Sequence, residues 1–195
     1  HRLLLTVFML LLAASCNVIE MVADGKKTDD NFFTNDHSEH HEDNEIQIAP
    51  SIVGALDTAN SALKLQINGN YAYVADGPGG LVILDVSSPT SPSLSGTHDT
   101  TGSAVDVYVS GNYAYVADGT PGLQIIDISN PNSPSLTGTY NTAGSARGVT
   151  VSGNYAYVGD LTQGLKIVDI SNPAAPSLTG TYDTSGSSKS IFVIG

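Results

Sequence analysis

Between residues 104 and 110 the chain alternates: Val105, Val107 and Val109 fall on one face, Asp106 and Tyr108 on the other. Period two over this length predicts a strand with one face against a core. "SGN" follows, and Gly111-Asn112 suits a tight hairpin that needs positive φ. Tyr113–Ala117, aromatic and β-branched, predicts a second strand. A turn holding Gly and Pro leads from Asp118 to Gly122, and "LQIIDI" at 123–128 predicts a third strand covered on both faces. "SNPNSP" then ends it, because proline offers no N–H to a ladder. Leu136–Tyr140 predicts a short fourth strand.

The whole arrangement recurs without insertion or deletion. Gly69, Gly111, Gly153 and Gly195 are spaced by 42 residues, as are Asp85, Asp127 and Asp169, and Pro92, Pro134 and Pro176. We set the units at 54–95, 96–137 and 138–179, with 180–195 opening a fourth and "PSIV" at 50–53 as the tail of an earlier one. Four short strands in such a period is the spacing of a propeller blade. One sheet cannot cover both its own faces, so blades stack and the same apolar pattern must recur in each. The hexapeptide "GNYAYV", written at 69–74, 111–116 and 153–158, is therefore scaffold. The expected fold class is all-β, a β-propeller-like array of four-stranded blades. Rings use about 4–8 blades and this chain holds about three and a third, so we expect a fragment of a longer product. An open array closed by a partner chain is the alternative.

"GLVILDVSSPTSPSLSG" (80–96), "GLQIIDISNPNSPSLTG" (122–138) and "GLKIVDISNPAAPSLTG" (164–180), each preceded by "YAYV", resemble the LVIVD repeat of bacterial and archaeal surface proteins. The resemblance covers residues 50–195. It implies a propeller-like β architecture on an exported protein, and no particular reaction.

The first 49 residues follow a different plan. Arg2 precedes an apolar run, Leu3–Leu12, broken only by Thr6 and followed by "AASC". A basic start, an apolar core and small residues are the parts of a secretory signal. The run is too short to span a bilayer as a helix. Leu12-Ala13-Ala14-Ser15-Cys16 resembles a bacterial lipobox, which implies lipidation of Cys16, the sole cysteine, after cleavage before it. That would place the protein in a bacterial envelope, on the outer membrane or cell surface, with the membrane as a partner through Cys16. Residues 17–49 carry nine of the 19 acidic side chains and two basic ones. We read them as a disordered tether, about 30 Å long on average. His37, His40 and His41 stand there among carboxylates and are candidate metal ligands. Metal affinity needs preorganised geometry, and a solvated linker is the preferred reading.

Charge and composition narrow the function further. A net charge of −12 opposes nucleic-acid binding. The repeat body holds one histidine, His98, and no cysteine, and no nucleophile elbow or metal-ligand spacing is evident. We expect no catalytic residues and no cofactor. Asp85, Asp127 and Asp169 precede each Ser-x-Pro break and suit turns; Asp76, Asp118 and Asp160 receive the same structural reading rather than calcium ligation. The Tyr71/Tyr73 pairs and their equivalents read as interblade packing.

Differences between copied units fall where packing does not decide. They cluster before each first strand, where His98 aligns with Tyr140 and Tyr182, and Val105 with Arg147 and Lys189. They cluster again in the turn between strands two and three, at Thr120 and Gln163. His98, Thr120, Tyr140, Arg147, Gln163, Tyr182 and Lys189 form the candidate ligand rim. The expected function is a lipid-anchored surface scaffold that binds a protein or glycan. The alternatives are a glycan-cleaving or lyase-type propeller enzyme with catalytic residues beyond Gly195, and a purely structural surface protein.

Overall fold

The computed structural model describes residues 18–22, 52–184, 186 and 188–191, and every regular element among them is a strand. Strands β1 (Val18–Val22) and β2 (Ile52–Asp57) pair antiparallel. Three four-stranded antiparallel sheets follow. The first blade is β3 (Lys64–Asn68), β4 (Tyr71–Ala75), β5 (Leu81–Asp85) and β6 (Ser93–His98). The second is β7 (Asp106–Ser110), β8 (Tyr113–Ala117), β9 (Leu123–Asp127) and β10 (Ser135–Tyr140). The third is β11 (Ala146–Ser152), β12 (Tyr155–Asp160), β13 (Gly164–Asp169) and β14 (Ser177–Tyr182). Each sheet is a meander in sequence order, and β7 lies against both β3 and β11, so the first strands are innermost. This is the expected β-propeller-like array.

The repeated residues do the work expected of them. Gly111 turns the β7–β8 hairpin at φ 57°, a conformation that a side chain disfavours. Tyr73, Ala75, Leu81 and Ile83 of the first blade bury against Val107, Val109, Val116 and Ile126 of the second. One period on, Tyr115, Leu123 and Ile125 bury against Val149, Val151 and Val158 of the third. Burying one such aliphatic side chain contributes about 2 kcal/mol. The inner strands are also bridged by polar side chains. Val109 N–H donates to Gln66 Oε1 at 2.7 Å, and Val149 N–H donates to Asp106 Oδ2 at 3.0 Å.

Two expectations change. The period gives the length of a unit but not where it starts. Boundaries at 95/96, 137/138 and 179/180 fall inside the outer strands β6, β10 and β14. The sheets instead divide in the loops that join one blade's outer strand to the next blade's inner one.

The second change concerns the tether. Val18–Val22 is not part of a leash but a strand, paired with β2. The register shows what the pair is. Each outer strand skips one residue against strand three: Leu94 and Gly96 face Leu84 and Ile83, as Leu178 and Gly180 face Val168 and Ile167. Ile52 and Gly54 face Val22 and Met21 in the same way. A Cβ on Gly54 would overlap the Pro89 carbonyl oxygen, one on Gly96 that of Pro131, and one on Gly138 that of Pro173. So β2 seats its glycine on the first blade's proline turn as β6 and β10 do on the blades that follow them. The β1–β2 pair thus has the register of strands three and four of a blade. The rest of the tether, with His37, His40 and His41, and the signal segment with Cys16 lie outside the described residues.

Candidate functional site

Three segments meet at one end of each sheet: the end of the outer strand, the loop into the next inner strand, and the turn between strands two and three. The antiparallel meander dictates this, since Leu123 faces both Ala117 and Tyr140, and Ala117 also faces Asp106. Bridges Gly77–Ala104 and Gly119–Ala146 join the turn of one blade to the start of the next at this end.

Each turn starts with a buried aspartate: Asp76 is 1% exposed, Asp118 and Asp160 0%. Buried carboxylates need partners. The Thr58 hydroxyl donates to Asp76 Oδ1 at 2.8 Å, and the Thr100 hydroxyl to Asp118 Oδ1 at 2.6 Å. Asp160 Oδ1 accepts from the backbone N–H groups of Ser145, Thr162 and Gln163 at 2.9, 3.2 and 3.3 Å. The second oxygens differ. Asp118 Oδ2 accepts from the Gln124 side-chain amide, which also donates to Thr101 Oγ1 at 3.1 Å. Asp76 Oδ2 and Asp160 Oδ2 have no partner among the described residues.

The contrast between Asp118 and Asp76 traces to one position in strand three, Gln124 in the second blade and Val82 in the first; the third has Lys166 there. Burial pushes the Asp118 carboxyl above the ordinary range despite its bonds to Thr100 and Gln124. At Asp160 burial opposes the charge as well. The Thr142 hydroxyl nearby, short of full hydrogen-bond geometry, and the three N–H donors outweigh it and hold the carboxyl below the ordinary range.

Asp76 also lines a cavity of about 590 Å³ between β2 and the first blade. Its apolar wall includes Val82, Leu84 and Leu94, and its polar wall Thr58, Asn60 and Asp99. The front face of this blade is more open than its equivalents, with Ile67 37% exposed against 5% for Val109 and 8% for Val151.

The predicted rim residues all map to this same end. His98, Tyr140 and Tyr182 close β6, β10 and β14. Thr120 and Gln163 sit exposed in the turns of the second and third blades. Arg147, exposed, follows Ala146, whose bridge to Gly119 brings it beside the Thr120 turn. Tyr140 is half-buried against the second interblade core, whereas Tyr182 is 68% exposed. Lys189 is exposed, and its carbonyl lies near Gly148 of β11. Asp85, Asp127 and Asp169 lie elsewhere, in the turns after strand three. There each Oδ1 accepts a bond of 2.8 Å from the N–H of Ser87, Ser129 or Ser171. Among the described residues no group of three or more His, Cys, Asp or Glu could hold a metal ion. The sequence reading passed over Val82, Gln124 and Lys166. Their signal was present, as the one position that changes chemical class inside an otherwise copied strand.

The model of the LVIVD repeat matches residues 59–100, 101–142 and 143–184. No curated protein matches the chain in sequence. Among solved structures, the chain is similar to a functionally unknown protein from Desulfotomaculum acetoxidans. The identity is 14% and the TM-score 0.64, over 92% of this chain and 53% of that one. It is similar to the computationally designed Ika4 protein at 11% identity and TM-score 0.60, over 71% of this chain and 82% of that one. BamB from Moraxella catarrhalis shares 16% identity at TM-score 0.54, over 68% of this chain and 40% of that one. At such identities the likeness is one of fold. The chain thus spans about half or less of the two natural structures it resembles. Three consecutive repeats, each folded as one four-stranded blade, place this chain in the LVIVD-repeat family.

Proposed function

We propose that this protein is an exported, lipid-anchored surface protein of a bacterial envelope. Its propeller-like body binds a protein or glycan at the end where the interblade loops and the turns after strand two meet. One observation carries the binding reading. Both groups of variable residues, separate in sequence, converge on that single end of a scaffold that is otherwise copied. The anchor rests on the signal-like start and on Cys16. With β1 starting at Val18, only Asn17 separates the lipid-bearing residue from that strand, a reach of at most about 7 Å. The body would then sit against the lipid surface.

In a bacterial host, Cys16→Ser should abolish labelling by a radioactive fatty acid and move the protein out of the membrane fraction. Unchanged labelling rejects the anchor. For binding, a glycan and envelope-protein array probed with the wild type should give a signal. A variant carrying Thr120→Ala, Arg147→Ala and Gln163→Ala together should lose that signal at least tenfold. An undiminished signal removes the rim from consideration.

A further inference from the structure

We infer that the cavity between β2 and the first blade is a site for a primary alkylammonium group carried on an aliphatic stem. Four observations lead there. Asp76, 1% exposed, is among the residues lining the cavity, and its buried Oδ2 has no hydrogen-bond partner among the described residues. A buried carboxylate oxygen left unsatisfied is costly, so it favours an external donor, and a charged one most. Second, a Cβ on Gly79 would lie 2.8 Å from Asp76 Oδ2 and would overlap the Asn60 amide nitrogen. Any side chain at position 79 would crowd both the carboxylate and the Asn60 amide. Third, the cavity's other charged residues are Asp57 and Asp99, and no basic side chain of the described residues lines it. Its field therefore favours a cation. Fourth, Val82, Leu84 and Leu94 give the cavity an apolar wall next to this charge, which suits a methylene stem. About 590 Å³ is within the range of small-ligand sites.

The second blade supplies the internal control. There Gln124 donates to the corresponding oxygen of Asp118 and occupies the corresponding place. Val82 leaves that place open in the first blade. The stem and head could belong to a free amine or to a lysine side chain of another protein. The chemistry recognised is the same. Cys16 plays no part, so loss of the anchor would leave this site untouched.

The test uses the full chain, with backbone amide shifts of Asn60 and Gly79 followed by NMR. Pentylammonium chloride and the tripeptide Gly-Lys-Gly are the two probes, and pentanol is the uncharged control. We expect saturable shifts from at least one probe, with a dissociation constant on the order of 1 mM. The tighter of the two identifies the source, and pentanol should bind at least tenfold more weakly. Asp76→Asn keeps an acceptor for Thr58 and should weaken probe binding at least tenfold. Val82→Gln copies the second blade's arrangement and should do the same. If Asp76→Asn fails to fold, Val82→Gln decides alone. Pentanol binding as well as the charged probes, undiminished binding by a folded variant, or no saturable shift at roughly ten times that concentration each overturns the site.

Discussion

The first and second blades share the same strands, the same register and the same buried aspartate, yet they handle that aspartate differently. In the second blade Asp118 has Thr100 on one oxygen and Gln124 on the other. The blade is closed in by cores on both faces. In the first blade Asp76 has only Thr58 among the described residues, Val82 stands where Gln124 would be, and a cavity opens beside them. A repeat scaffold thus sets where a carboxylate is buried, and one strand residue decides whether it is sealed or left to an outside donor. The residue is invisible to the fold because valine and glutamine both fit a strand.

The comparison breaks most visibly if the second blade is made to look like the first. Gln124→Val removes the donor to Asp118 Oδ2 at a buried site, Gln124 itself being 2% exposed. A buried charged acceptor left unpaired costs about 2–3 kcal/mol. Urea unfolding should show the midpoint fall by that energy divided by the slope, with the slope unchanged. Val82→Gln, the opposite exchange, should leave the midpoint unchanged or raise it. If Gln124→Val is as stable as the wild type, the contrast between sealed and open aspartates has no energetic content.

How much of this was legible from the residues alone follows the same division. Strands β7–β10 could be read because alternation, aromatic content, glycine corners and prolines all agree at each step. Their phase was not legible, since any starting point satisfies a perfect period and only hydrogen bonding shows that Gly96 lies inside β6. Strand β1 was hidden for a different reason. Residues 23–51 separate it from β2, where residues 86–92 suffice between β5 and β6. Distance in the chain concealed an ordinary pairing. The common end of the loops was legible from topology, once four meandering strands were granted. The sealing role of Gln124 was not. It depends on which oxygen of Asp118 the Thr100 hydroxyl leaves free, a matter of a few ångströms between residues distant in sequence.

A smaller effect separates the second blade from the third, and pH exposes it. Burial raises the Asp118 carboxyl, so the folded protein holds that proton more tightly than the unfolded chain does. The group's unfavourable contribution is absent below the unfolded carboxylate value of about 3.9 and grows as pH rises through the folded one. Asp118→Asn removes the ionisation. Its asparagine can still accept from Thr100, and its amide can meet the Gln124 side chain turned to present oxygen. The variant should gain stability over wild type at neutral pH and lose that advantage on acidification. Asp160 has the opposite sign. Burial opposes its charge, but the N–H donors of Ser145, Thr162 and Gln163 and the nearby Thr142 hydroxyl prevail, so its folded value is lowered. Its stabilisation is present above about 3.9 and is lost as pH falls through the folded value. Asp160→Asn should therefore lower the neutral-pH midpoint by less than Gln124→Val does, with the deficit shrinking towards strong acid. Urea midpoints of both variants measured from neutral pH to about 3 would show curves that approach wild type from opposite sides. Curves that run parallel would mean that the two aspartates sit in equivalent environments, and that the residue at position 124 is a packing choice and nothing more.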